Sequence, residues 1–193
     1  MKIYTHNNTF NAGQVIAVAI LDIAKVFTSF ERIASLNEMP DDGILIAIGG
    51  KWMPEKEMFD FHGRHYLRQN DTPFASAGMI WSHYGKGAIR VFTGIQNQEN
   101  TCLIHSLIDK DIIQNLDMLE IHGEGYNLNL SFFKCVELMN SDYLLDDVEQ
   151  AFRFSHAIKI AKIILMAAIN KEIKALQYEN QLDITKESLI TTT

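Results

Sequence analysis

The sequence predicts an α/β fold, a predominantly parallel sheet flanked by helices and followed by a long C-terminal helix. Three observations predict it. Ile44 to Ile48 is a run of five apolar residues closed by Gly49-Gly50, the pattern of a short strand buried on both faces, as in a parallel sheet covered by helices. Lys2 to Tyr4 has strand character and leads through a polar loop into Ala12 to Phe27, where Val15, Ile16, Val18, Ala19, Ile23 and Val26 recur at helical spacing. Alternation of strand and helix is the mark of the α/β class. The 193 residues are 47% hydrophobic, enough to bury a core of domain size.

The remaining elements follow in order. Phe27 to Ala34 reads as a second strand, and Asn37 to Asp42 supplies turn chemistry through Pro40 and paired aspartates. Met58 to His62 is a further short strand. Ser76 to Tyr84 reads as a helix that starts on a serine able to cap its first turn. From about Glu99 the pattern is mostly helical, with Cys102 to Leu119 and Leu128 to Met139 as helices and Gly123-Glu124-Gly125 as the break between them. A final helix is predicted from Leu144 to about Tyr178, with Val148, Phe152, Ile158, Leu165, Ile169 and Ile173 near its buried side. Residues 1–182 are read as one domain whose helical part begins near residue 100, and residues 183–193, ending in three threonines, as a flexible tail.

Composition narrows the function classes. Lys and Arg number 17 against 24 Asp and Glu, a net charge of −7, so nucleic acid is not captured by a broad basic surface and any such contact has to be local. Cys102 and Cys135 lie far apart without metal-type spacing, which suits a reducing compartment. No basic segment followed by an apolar core opens the chain, and its longest apolar run, Ile160 to Ile169, is interrupted by Lys162 and too short to span a bilayer. The expectation is a cytoplasmic protein with no membrane contact.

Four stretches concentrate polar residues at predicted strand ends: His6 to Asn11, Gly49-Gly50-Lys51, Asp60 to His65, and Glu120 to Gly123. In open α/β sheets ligands collect beyond the carboxyl ends of strands, so these stretches are expected to meet in one crevice. Taken singly, each has an ordinary explanation. Asn7 and Asn8 suit a turn, the glycine pair suits a loop with unusual backbone angles, and His62, His65 and His122 suit a surface.

The order of THN-x-TF at residues 5–10, an apolar strand closed by GG, Asp60-x-His62-x-Arg64, and Ser76-Ala77-Gly78 with His83 and Gly85 resembles the melanocyte-proliferating-gene family of DHH-type phosphoesterases over residues 3–125. The resemblance implies a metal-dependent hydrolase, typically using manganese, that cleaves phosphodiester bonds in RNA or small nucleotides with two divalent ions held by histidines and aspartates. The match is incomplete. Where the family's first motif has a second histidine and an aspartate, this chain has Asn11 and Gly13; Ala47 stands for the aspartate that precedes the glycine pair; Phe61 replaces the first histidine of DHH; and Glu120 stands for the fourth-motif aspartate. Family members are also much longer, with a second domain over the cleft.

Divalent ions held in a pair need several carboxylate or imidazole ligands. His6, Asp60, His62 and Glu120 are the candidates that remain, suited to a weakly held manganese ion and not to a pair, so no cofactor is expected. The leading reading is a catalytically impaired homologue whose crevice binds a nucleotide or short oligonucleotide through His6, Asn7, Asn11, Gly49, Gly50, Lys51, Phe61, His62, Arg64, His65 and His83, with Phe61 placed to stack on a base. Two alternatives stay open: a surviving manganese-dependent phosphodiesterase or exonuclease, and a protein-interaction scaffold. A homodimer through the C-terminal helix is a further expectation.

Overall fold

The computed structural model describes residues 1–7, 9–33, 42–123, 132–140 and 146–178. Strand β1 (Lys2–His6) leads into α1 (Ala12–Ile23) and then β2 (Ser29–Ile33), which lies parallel to β1. β3 (Ile44–Ile46) adds on the other side of β1, also parallel, and is followed by β4 (Trp52–Met53), a turn of 3-10 helix and β5 (Met58–Phe59). β5 pairs parallel with β3 and antiparallel with β4, giving the order β2-β1-β3-β5-β4. The expected α/β class and parallel sheet are therefore present, with β4 an antiparallel edge that sequence reading did not anticipate.

The sheet sorts its side chains by alternation. Ile3, Ile44, Ile46 and Phe59 join the main core with α1, whereas Tyr4, Ile33, Leu45 and Ile48 form a smaller cluster on the opposite face. α1 is buried at nearly every position, consistent with a helix that has neighbours all round: the sheet, α2 (Ser76–Thr93) and α6 (Asp147–Tyr178). It ends at Ile23, short of the predicted Phe27, because Ala24 caps it and Lys25 turns the chain with a positive φ.

The predicted helix from Cys102 to Leu119 is broken by geometry rather than by glycine or proline. α3 (Gln98–Ile108) passes through a π-helical turn (Asp109–Ile113) into α4 (Gln114–His122). α5 (Phe132–Met139) follows, while the Glu124-Gly125 break and the start predicted at Leu128 lie outside the described residues, as does the predicted tail.

Two further expectations need correction. Ser76 does not cap α2: the N-cap is Ala75, and Ser76 Oγ is buried with no hydrogen-bond partner among the described residues. Along α6, Phe154, Ala157, Ile158, Ala161, Leu165, Ile169 and Leu176 face inward, but Val148 is 79% and Phe152 58% exposed. At about 100° per residue those two lie well round the helix from the buried stripe.

Candidate functional site

β1 has neighbours reached by oppositely directed connections, β2 on one side and β3 on the other, so the carboxyl edge between β1 and β3 is the topological switch point of the sheet. His6 ends β1, Ala47 to Gly50 follows β3, and Asp60 to His62 follows β5. Three of the four stretches singled out in the sequence therefore converge on this edge, and the fourth arrives from α4.

The turn after β3 is made of residues with left-handed backbone. Gly49 and Gly50 have φ of 96° and 66°, which glycine tolerates, but Ala47 also has φ of 56°, which costs an ordinary side chain about 1–2 kcal/mol. Its N–H is anchored by Phe59 O at 3.0 Å. The turn keeps a shape suited to glycine, asparagine or aspartate at residue 47 while holding alanine there.

Asp60 is buried and fully engaged. Its Oδ2 accepts from Gly50 N at 2.7 Å, and its Oδ1 accepts from His62 N at 3.0 Å and lies 2.6 Å from His62 Nδ1. That contact places a proton on Nδ1 and leaves Nε2 of the exposed ring as the outward atom. The His62 ring lies against Phe61, 4.4 Å between centroids and 25° from parallel. His6 is half-buried, and its Nδ1 has no hydrogen-bond partner among the described residues. Burial lowers its pKa, with Arg32 and His62 acting in the same sense and Asp60 opposing them, so the ring is neutral near pH 7.

α1 begins with a reciprocal cap. Asn11 Oδ1 accepts from Gln14 N at 2.8 Å and Gln14 Oε1 accepts from Asn11 N at 3.0 Å, while Gln14 Nε2 reaches back to Thr5 Oγ1 at 2.7 Å. The other end of the Asn11 amide donates to Glu120 Oε1 at 3.1 Å. Glu120 Oε2 is buried without a partner among the described residues and lies against the Cα of Gly13, where any side chain would collide with it. Burial pushes the Glu120 carboxyl up to about 8, Asp117 adds to the rise and Asn11 counters it, so the group is largely neutral at pH 7.

One turn earlier on α4, Asp117 serves the other helix. Its Oδ1 accepts from Gly78 N at 3.0 Å, supplying the cap that α2 lacks, and its Oδ2 takes Arg68 Nη2 at 2.7 Å. A side chain on Gly78 would collide with that carboxylate and with Arg68. Arg68 also grips Asp109 through Nε at 3.2 Å and Nη2 at 3.1 Å, and stands 3.9 Å over the Phe74 ring. Burial raises the Asp117 pKa to about 7 against the pull of Arg68. Asp109 is the first residue of the π-helical turn between α3 and α4. Sequence reading missed this network, although Asp117 and Glu120 three residues apart on one helix, opposite glycines at 78 and 13, are its sequence trace.

The other candidates are distributed around the crevice. Lys51, Arg64 and His65 are exposed on the loops after β3 and β5, which are neighbours in the sheet, while Phe61 is half-buried. Asn7 bonds Ile33 O through its N–H at 3.0 Å and lines a separate cleft with Phe30, Arg32 and Asp147. His83 sits along α2 beside Phe59 and Tyr84, with ring centroids 5.6 and 4.7 Å away, and makes no described contact with His6, Asp60 or His62. Asn140 was not anticipated either: its amide accepts from Phe10 N at 3.1 Å and donates back to Phe10 O, fastening the loop before α1 to the end of α5.

The residues do not fit a pair of divalent ions. Among the described residues no group of three or more His, Cys, Asp or Glu is placed to hold a metal. Asp60 is bonded to protein donors, and the acid that reaches the start of α1, Glu120, is held by Asn11 and fills the space a side chain on residue 13 would need. Nor is any described helix long and apolar enough to cross a membrane.

Comparison with known proteins points one way. The family model for MYG1-type exonucleases, described as uncharacterised protein family UPF0160, matches residues 2–189. The chain is 21% identical over 190 residues to the MYG1 exonuclease of Rattus norvegicus, covering 88% of this chain and 49% of the relative. It is 28% identical over 130 residues to a MYG1 protein of Saccharomyces cerevisiae, covering 64% and 38%, and 23% identical over 133 residues to the MYG1 exonuclease of Homo sapiens, covering 62% and 35%. It thus spans a third to a half of the length of these curated relatives. No solved structure matches it.

Proposed function

The chain belongs to the MYG1 exonuclease family, UPF0160, and on that premise we propose that it is a degenerate phosphoesterase whose crevice binds a nucleotide or short oligonucleotide without efficient hydrolysis. One observation carries the reading. At the start of α1, Asn11 and Gly13 take the places where the family motif has a histidine and an aspartate, and the space is filled by Glu120, hydrogen-bonded to Asn11 and largely neutral at pH 7.

The consequence is electrostatic. With alanine at 47, glycine at 13 and Glu120 largely neutral, the carboxylate left at the strand ends among the described residues is Asp60, already bonded to Gly50 N–H and His62. A phosphate then needs no bridging dication to approach, and Lys51 and Arg64 on adjacent loops add positive charge at the rim. The Phe61–His62 stack offers an aromatic surface to a base.

A thermal-shift screen of mononucleotides and short oligonucleotides in EDTA tests this. At least one should raise Tm, since a ligand at a hundred times its Kd adds about 2.7 kcal/mol. Arg64→Ala should abolish the shift. A screen without a stabilising ligand would favour the scaffold reading.

The rival, a surviving metal-dependent phosphodiesterase, draws on a different observation. His6 Nδ1 is buried near Asp60 and His62 with no hydrogen-bond partner among the described residues, an arrangement that a single ion would satisfy. Manganese-dependent release of nucleotides from a short RNA, abolished by His6→Ala, would support it.

A further inference from the structure

We propose that the outer face of α6 joins two copies of this chain as an antiparallel pair. The helix has 32 residues, about 48 Å at 1.5 Å per residue, and its inner side packs on α1 and α3. Opposite that side, Phe152, Ile160 and Ile163 are 58%, 48% and 68% exposed, and at about 100° per residue they share one stripe with His156 and Ala167. Single exposed apolar residues are ordinary on a surface, but a line of them over about three turns is what a helix shows to a partner. His156 is drawn into the same surface: its ring lies 4.2 Å from that of Phe152 and its Nδ1 bonds Phe152 O at 2.9 Å.

Charge at the two ends of the stripe says what the partner is. Glu149 lies on it at the N-terminal end and Lys174 at the C-terminal end. A two-fold axis between residues 161 and 162 sets Ile160 against Ile163 of the second copy, His156 against its Ala167, and Glu149 against its Lys174, at both ends at once. A parallel pair would place glutamate on glutamate and lysine on lysine. The face is therefore self-complementary in one orientation, as an isologous contact requires, and opposed helix dipoles favour the same orientation. Glu149 Oε1 accepts from Arg153 at 2.8 Å within its own helix, which leaves Oε2 for the lysine.

Light scattering coupled to size exclusion on the full chain tests the pair. The wild type should elute as a dimer at tens of micromolar. Ile163→Glu, at an exposed position, should leave the circular dichroism spectrum unchanged and give a monomer, weakening association roughly a hundredfold or more because two unpaired charges meet at the axis. Lys174→Glu should weaken the dimer, and Glu149→Lys combined with Lys174→Glu should restore it. A monomeric wild type, a dimer that survives Ile163→Glu, or a double charge swap that fails to restore association would each overturn the proposal.

Discussion

Glu120 occupies the space that a side chain on residue 13 would need: a Cβ added to Gly13 would collide with Glu120 Oε2, while Oε1 accepts from Asn11 Nδ2 at 3.1 Å. The two positions are coupled by volume. Gly13→Ala should therefore destabilise the protein by about 1–3 kcal/mol, the usual cost of overpacking. In combination with Glu120→Ala the loss should be clearly less than additive, and a double-mutant cycle by urea denaturation measures the coupling.

Glu120 also makes stability depend on pH. Its folded pKa of about 8 lies above the ordinary 4.5, so between these values the folded state holds a proton that the unfolded chain has released. Stability contributed by the group is complete below about pH 4.5 and is lost as pH rises through 8, with a slope of up to about 1.4 kcal/mol per pH unit. Asp117, raised to about 7 by burial, acts in the same sense. Glu120→Gln should flatten the fall between pH 5 and 8, as read from denaturation midpoints across that range.

Ala47 carries a left-handed backbone that its side chain disfavours. Ala47→Gly removes the steric penalty but adds freedom to the unfolded chain, so a net gain of roughly 0.5–1 kcal/mol is expected. Ala47→Asn should also be tolerated, because asparagine adopts this region readily. A fall in Tm for both variants would show that the turn is held in another shape.

Arg68 is the shared partner of Asp117 and Asp109 beneath the start of α2. Arg68→Met should cost about 3–5 kcal/mol, because Asp117 is left buried without its counter-charge. Asp117→Asn in the same chain should recover part of that loss, and thermal denaturation of the single and double variants gives the comparison.

Local patterns were legible in the sequence where one segment decided its own structure. The five-residue apolar run at Ile44 and the helical spacing after Ala12 placed β3 and α1, and the ordered motifs placed His6, the glycine pair and Asp60-x-His62 at one sheet edge. What escaped depended on partners distant in the chain. Ser76 has the chemistry of a cap, but Asp117, thirty-nine residues after Gly78, supplies the acceptor for the Gly78 N–H from another helix. Val148 and Phe152 were assigned to the buried side of α6 by their apolar character, which does not say which of two apolar stripes meets α1. Asn11 read as a donor to a ligand, whereas its amide is shared between capping Gln14 and holding Glu120.

The central claim is that this crevice has given up the paired ions of the chemistry its motifs resemble. Calorimetric titration of the full chain with manganese at neutral pH tests it most directly. The account predicts no saturable binding of two ions at micromolar concentrations, and two ions bound with micromolar Kd would contradict it.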